Sequence, residues 1–304
     1  MGTTGVGGAG KALLIAGGGF VLLSIGDAVV KSMAGQWPAT AVAALRYTAG
    51  AIGLGICAAF VHGREGLRMV RPAIQLGRGS AVALATICFF LATFSMPLAD
   101  ATAVQFISPM LTALLSGIVL RERVQPMVIA VSLVAFVGVL IVLRPNIVEL
   151  GAAAFLPLGA AFGMAWLIIF NRKAAGAAPI LTMQFLVSAI ASPFLIGAAL
   201  ILDRTGIAGF ALTVPSAEVV LKTLLVATTA SAGHLLIYVA TTRASAAVVA
   251  PMTYVQLLVA LVLGWIWFGD GPDAATVGGA AIIVGSGLWL WRSQRDAVVV
   301  ETPD

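Results

Sequence analysis

The chain has 304 residues, of which 61% are hydrophobic and 10% are charged, and its formal net charge is +5. A mean hydropathy of +1.08 excludes an ordinary soluble domain, because so few charges cannot cover so much apolar surface. The apolar runs are continuous over about twenty residues, as in membrane-spanning helices, and lack the alternating polarity of barrel strands. The sequence therefore predicts an all-α membrane protein.

Ten apolar runs are separated by charged residues, Gly and Pro, and each is predicted to be one transmembrane helix. The first ten residues, MGTTGVGGAG, lack the charged head of a cleaved signal, so we expect residues 1–11 to be a flexible tail before a retained first span. A second tail is predicted at 293–304. In chain order the predicted spans are 12–33, 38–61, 79–97, 100–120, 126–143, 152–171, 180–202, 219–241, 244–268 and 274–292.

Basic residues are distributed unevenly between the two predicted sides of the membrane. With both termini in the cytoplasm, the inner segments, Arg78 included, hold twelve Lys and Arg residues and the outer segments hold four. This excess predicts a multi-pass protein of the cell inner membrane with both termini cytoplasmic. The pI near 9.7 then reflects membrane orientation, and we expect the lipid bilayer rather than nucleic acid as a partner.

Three charged residues surround the first predicted outer turn. Asp27 lies about seven residues before the first span ends and Arg46 about eight residues into the second, which places both roughly 10–12 Å below the outer surface. Charges at that depth need partners. Two interpretations stay open, a structural Asp27–Arg46 ion pair and a gate or anion contact at the outer mouth. Lys31 is expected to extend its ammonium to the outer headgroups.

Polar residues at helical spacing in the fourth to seventh spans are candidates for substrate contact. The fourth span carries Gln105, Ser108, Thr112 and Ser116, and Pro109 is predicted to interrupt its helix. In the sixth span, Trp166 lies away from either interface, which favours a cavity wall or stacking platform. The seventh span carries Gln184, Ser188 and Ser192 before Pro193. Packing between helices is the alternative for the small polar residues.

The eighth and ninth spans carry the remaining candidates. One face of the eighth holds Ser231, His234, Tyr238 and Thr241, which predicts either a wet cavity wall or hydrogen bonding between helices. Tyr254 and Gln256 in the ninth span are comparable, although they fall on different helix faces. If transport is coupled to protons, His234 and Asp27 are the best placed to titrate, with Asp100 near an outer turn.

The ten spans divide into two weakly similar sets of five. Lys31 and Arg172, like Pro38 and Pro179, lie 141 positions apart. Because five is odd, the second set enters the membrane in the opposite sense. The turn RER at 121–123 is basic on the predicted inside, while its counterpart GDG at 269–271 is acidic on the predicted outside. We therefore predict two inverted five-helix repeats, 12–145 and 152–292, with a solute site between them.

Three stretches together resemble the EamA-type transporters of the drug/metabolite transporter superfamily. They are SIGDAVVKSMAGQWPATAVAALRY at 24–47, FLPLGAAFGMAWLIIFNRKAAGAAPILTMQFL at 155–186 and APMTYVQLLVALVLGWIWFGDGPDAATVGGAAIIVGSGL at 250–288. Asp270 stands where the family usually has Glu, and Leu257 where Pro is common. The resemblance implies ten helices, a central cavity, transport of small metabolites and an outer gating role for Lys31.

The sequence thus predicts a secondary transporter that moves a small-molecule solute by alternating access. Export of an amino acid or a related amphipathic solute is favoured, since Trp166, Tyr238 and His234 could stack on a ring. Uptake of a nucleoside derivative or vitamin is the alternative. An intramembrane enzyme is remote, because there is no HExxH motif and only two His residues. No catalytic residue, metal or cofactor is predicted, and a homodimer is compatible with the sequence.

Overall fold

A computed structural model describes residues 6–119, 126–243 and 250–300. These residues form helices and short 3₁₀ turns without any strand among them, which confirms the all-α class. The helices are α1 Val6–Lys31, α2 Ala39–His62, α3 Pro72–Ser95, α4 Leu98–Gln105, α5 Ser108–Val119, α6 Pro126–Leu150, α7 Leu156–Ala174, α8 Ile180–Arg204, α9 Ala217–Arg243, α10 Tyr254–Phe268 and α11 Ala274–Val300. Helices α1 and α11 extend into both predicted tails, because a formed helix propagates at little cost.

Within the described ranges, seven helical segments are long and apolar enough to cross a bilayer. They cover the first four predicted spans and the sixth to eighth. Three shorter apolar segments, 129–144, 254–268 and 274–289, coincide with the other three predicted spans. The structure therefore shows a helical membrane protein, and the count of ten spans stays a prediction.

Prolines fix where several helices begin. Pro38 and Pro179 occupy the positions just before α2 and α8, where a residue with φ near −60° and no N–H donor costs no helical hydrogen bond. Pro109 stands at the second residue of α5, and the chain leaves the helix at 106–107 just before it. The predicted interruption of the fourth span is therefore observed, because this span consists of two helices, α4 and α5.

The pairing of helices is two-fold symmetric. The closest pairs are α1 with α9, α3 with α7, α2 with α8, and α6 with α11. When the two predicted sets of five helices are exchanged, the pair α1–α9 becomes α7–α3, and the pairs α2–α8 and α6–α11 stay the same. Looser contacts obey the same exchange, since α10 lies on α1 as α4 and α5 lie on α7. The halves are thus built to one plan and interleaved.

Glycines allow the closest approaches between helices. A Cβ added at Gly19 of α1 would lie 2.8 Å from the carbonyl oxygen of Gly233 on α9. Gly138 of α6 and Gly279 of α11 meet in the same way, and they are 141 positions apart. Lipid-immersed helices associate through such small residues because burial from water supplies no driving force there.

Candidate functional site

A cavity of about 210 Å³ lies between helices of both halves. A buried water needs only about 10–15 Å³ of such volume, so the cavity has room for a small organic solute. Its polar wall is formed by Arg46 and Tyr47 of α2, Arg78 of α3, Asn171 of α7, Gln184 and Ser188 of α8, and Ser231 and His234 of α9. The apolar wall includes Val82, Met164, Leu167 and Ile168, which would suit an amphipathic ligand.

Arg78 is a wall residue that the sequence placed in an inner loop. The structure starts α3 at Pro72, seven residues earlier than predicted, so Arg78 lies inside the helix and is 5% exposed. Its Nε donates to Asn171 Oδ1 at 2.6 Å, and its Nη1 donates to Gln75 Oε1 at 2.5 Å and to the Met183 carbonyl at 3.1 Å. Three acceptors thus hold one buried guanidinium in a fixed orientation.

Arg46, predicted to need a partner, is held by aromatic faces. Its guanidinium carbon lies 4.7 Å from the ring centroid of Tyr47 and 5.7 Å from that of Phe90. Tyr47 is fixed in turn, because its hydroxyl accepts a hydrogen bond from Thr86 at 3.0 Å. Cation–π contact orients a guanidinium without using its N–H donors. Arg46 therefore presents an oriented set of donors to the cavity it lines.

The direct ion pair between Asp27 and Arg46, one of the two interpretations left open by the sequence, is not observed. No salt bridge joins them among the described residues, although the two charges still interact at longer range. Asp27 instead accepts a hydrogen bond from Gln256 Nε2 at 2.9 Å, and Ser24 donates to the Gln256 carbonyl at 3.0 Å. Gln256, predicted as a substrate contact, is thus engaged in the packing of α1 on α10.

Of the eight substrate-contact candidates, the structure brings Ser231 and His234 to the cavity wall, together with Arg46. Trp166 lies elsewhere, in an aromatic row on α7, with its ring 5.6 Å from Phe170 and 6.2 Å from Phe162. That row occupies a different face from Met164, Leu167 and Ile168, because residues four apart share a face. Trp166 therefore is no cavity wall.

Two further candidates lie at the helix break. Gln105 ends α4 and Ser108 begins α5, and neither lines this cavity. The Tyr254 ring packs 5.7 Å from Phe106, and its hydroxyl fills the space where Gly287 has no side chain. The side chain of Tyr238 lies outside the described residues. Gln105, Ser108 and Tyr254 are therefore not among the residues that line the cavity.

At the end of the bundle away from Arg78, polar contacts join the first half of the chain to the second. Lys31 Nζ lies 2.7 Å from Asp270 Oδ2 and donates to the Met96 carbonyl at 2.8 Å. Lys31 thus contacts the turn before α11 instead of extending to the headgroups as expected, and it also lies 5.3 Å from the Phe268 ring. Nearby, Trp37 Nε1 donates to the Thr213 carbonyl at 2.9 Å.

Asp273 completes this end as the cap of α11. Its carboxylate accepts the backbone N–H of Thr276 at 2.6 Å, which satisfies an orphan donor of the helix and lowers the pKa of the Asp273 carboxyl. No group of three or more His, Cys, Asp or Glu side chains that could hold a metal ion occurs in the described part of the chain.

Comparison with known proteins assigns this architecture. The model of the EamA-like transporter family matches twice, over residues 10–144 and 151–292. The chain belongs to the EamA-like transporter family. It is therefore a multi-pass membrane transporter of the drug/metabolite type and not an enzyme.

Relatives of this EamA-like transporter carry different solutes. An S-adenosylmethionine uptake transporter of Rickettsia bellii is 25% identical over 78% of each chain. The pseudopaline exporter CntI of Pseudomonas aeruginosa is 26% identical over 90% of this chain and 93% of its own. A riboflavin transporter of Rhizobium johnstonii is 28% identical over 76% of this chain and 74% of its own.

A solved structure has the same fold. A crystal structure 20% identical to this EamA-like transporter matches 91% of this chain and 95% of its own, with a TM-score of 0.58. At that identity the likeness concerns the arrangement of the helices alone.

Proposed function

We propose that this protein is a secondary transporter of the inner membrane that works by alternating access. Ten spans in two inverted halves, 12–145 and 152–292, rock about a shared solute site, with both termini in the cytoplasm. The solute is a small metabolite, an amino acid or a related amphipathic molecule, and export is the working direction.

One observation carries this proposal. The cavity reaches Arg78, Asn171 and Gln184, which lie six, three and four residues from the ends of α3, α7 and α8 at one end of the bundle. At the other end, Lys31 of the first half contacts Asp270 of the second. A site that extends toward one end of the bundle, with an ion pair between the halves at the other end, is the arrangement expected of one state in an alternating-access cycle. In the predicted topology this state faces the cytoplasm.

Uptake of a cofactor-like nutrient is the second candidate function. It is favoured by two relatives, one an S-adenosylmethionine uptake transporter and the other a riboflavin transporter. The cavity alone favours neither export nor uptake, because a reversible carrier exposes the same site to each side of the membrane in turn.

A transport screen in proteoliposomes tests the proposal. Purified protein is reconstituted and challenged with radiolabelled amino acids, nucleosides, vitamins and organic acids, with and without a pH gradient. We expect saturable uptake of at least one solute and its acceleration when unlabelled solute is trapped inside, since exchange requires a carrier that reorients. Flux that never saturates and shows no exchange would contradict a carrier mechanism. His234→Ala should lose most of this flux while the protein stays monodisperse.

A further inference from the structure

We infer that the cavity selects solutes of net negative charge, which it engages at two arginine stations, one near its mouth and one deep inside. This inference rests on the proposed transport function and narrows its solute to an acidic amino acid or another organic anion. The recognised chemistry is an anionic oxygen group, either a carboxylate or a phosphate.

The charge balance of the wall is the first support. The described residues that line the cavity include the cations Arg46 and Arg78 and contain no Asp or Glu. Asp27 interacts with Arg46 at longer range, but it is outside the wall and accepts a hydrogen bond from Gln256. A cleft with low-dielectric walls and one sign of charge focuses its potential and concentrates counter-ions.

The Arg46 station is the second support. Its guanidinium is oriented by Tyr47 and Phe90 but donates no hydrogen bond within the described part of the chain. A guanidinium has five N–H donors and accepts nothing, so donors held in a membrane interior need an acceptor, and an anionic acceptor also balances the buried positive charge. Ser231 and His234 line the same cavity from α9 and can complete the shell around that acceptor.

The Arg78 station is the third support. Asn171, Gln75 and the Met183 carbonyl bind its Nε and Nη1, and within the described residues Nη2 makes no such bond. Because Arg78 lines the cavity, we expect Nη2 to be the donor that a ligand there engages. The partners therefore fix the orientation of the Arg78 guanidinium and leave its Nη2 edge for a ligand. Gln184 lines the cavity near this end.

The two stations are separated along the bundle. Arg46 follows the start of α2 by seven residues, and Arg78 follows the start of α3, at the opposite end, by six. With helices of 24 residues rising 1.5 Å per residue, the separation along the axis is on the order of 15 Å. One small anion therefore meets Arg78 first and Arg46 later, and an elongated anion can contact both.

Charge-selective thiol modification tests the inference without knowledge of the solute. In a background where Cys57 and Cys88 are replaced by Ala, Ser231→Cys places a thiol beside the deep station and Gln184→Cys one near the mouth. Ala208→Cys, in the exposed turn after α8, is the matched control. Purified protein in detergent is treated with the anionic sulfonatoethyl or the cationic trimethylammonioethyl methanethiosulfonate. The measured quantity is the ratio of the two modification rates.

We expect the anionic-to-cationic rate ratio at both cavity thiols to exceed that of the control by about tenfold, the lower range of electrostatic concentration in a charged cleft. Arg46→Gln should lower the ratio mainly at Ser231→Cys, and Arg78→Gln mainly at Gln184→Cys. Arg46→Lys keeps the charge and should keep the ratio. Ratios equal to the control in the two single-Cys proteins, or no modification by either reagent, would overturn the inference even if an Arg variant fails to fold.

The transport screen then decides whether the solute uses this field. Accepted solutes should be anions, and the neutral amide of an accepted carboxylate, or the unphosphorylated form of an accepted phosphate, should be rejected. Transport of cations or neutral solutes in preference would refute the anion selectivity while leaving the carrier mechanism intact. Conversely, a high thiol ratio with no flux of any solute would contradict the transport proposal and leave the charged cavity standing.

Discussion

Lys31 and Asp270 join the first half of the chain to the second at the end of the bundle away from the cavity. Their side chains are 13% and 28% exposed, so the ion pair is shielded from water on most sides. In an alternating-access cycle this contact must break before this end of the bundle can open. The pair is therefore expected to influence the equilibrium between the two states as well as stability.

Reversing the two charges tests that role. Lys31→Asp and Asp270→Lys should each lower transport and thermal stability, because each leaves two like charges facing one another. The double variant should recover part of both, with a coupling free energy of about 0.5–3 kcal/mol for residues in contact. Thermal unfolding of the four proteins measures the coupling. Effects that simply add in the double variant would show that the two residues act separately.

Trp166 and His234 are a matched comparison of a residue outside the cavity with one on its wall. We expect Trp166→Phe to keep transport near the unsubstituted rate, because the ring stays in its row with Phe162 and Phe170. His234→Ala should raise the solute KM severalfold, because it removes a polar wall group. Initial rates over a range of solute concentrations separate the two effects. A large loss of transport rate in Trp166→Phe would show that Trp166 does take part in transport.

The sequence identified some site residues and missed others for definable reasons. Ser231 and His234 were found because their spacing puts them on one face of a span. Arg78 and Asn171 were missed because hydropathy placed Arg78 in the loop before one span and Asn171 at the end of another, where polar residues are ordinary. Pro72 was the available signal, since Pro at the start of α3 places Arg78 within the helix, one turn from Gln75. Trp166 was misplaced because hydropathy cannot tell which face of an apolar helix meets a cavity.

Glycine pairs at helix crossings give the elements their spacing. Gly278 and Gly279 are neighbours on α11, yet only Gly279 faces α6. Gly278, Gly279, Gly285 and Gly287 all lie in the tenth predicted span. The structure shows close neighbours at Gly279 and Gly287 and open space at Gly278 and Gly285. The sequence shows which helix is rich in glycine, whereas which of these glycines faces a neighbour depends on the position of the partner helix.

Alanine substitution separates these two neighbours. A Cβ at position 279 would lie 2.6 Å from the Gly138 carbonyl oxygen and 2.5 Å from Val142, so Gly279→Ala must push α6 away. Overpacking of this kind costs about 1–3 kcal/mol. Gly278→Ala meets nothing within 4 Å and should be neutral or slightly stabilising, because Ala favours helix. Thermal unfolding in detergent compares them, and equal midpoints would mean that this crossing is not tight.

The whole molecule follows a two-fold plan that the sequence indicated only faintly. The 141-residue offset from Lys31 to Arg172 also relates Pro38 to Pro179, which precede equivalent helices, and Gly138 to Gly279, which touch each other. A contact between two equivalent residues is what a two-fold axis through the α6–α11 crossing produces. The sequence could not give the pairing of α1 with α9 or α3 with α7, because contacts between halves leave no local periodicity.

The orientation of the two halves in the bilayer is the remaining prediction for the whole protein. In the background without Cys57 and Cys88, single thiols are placed by Pro272→Cys in the turn before α11 and by Glu122→Cys, which lies outside the described residues. An odd number of spans separates these turns, so they should lie on opposite faces of the membrane.

A membrane-impermeant maleimide applied to intact cells should therefore label Pro272→Cys at once, and Glu122→Cys only after the membrane is permeabilised. The reason is the inversion itself, since RER would stay with the cytoplasmic excess of basic residues and GDG would face outward. Arg64→Cys, in the turn after α2, serves as a second internal marker and should follow Glu122→Cys. Labelling of both turns from one side would mean that the halves run parallel, and rocking about a shared site could not then exchange the two faces.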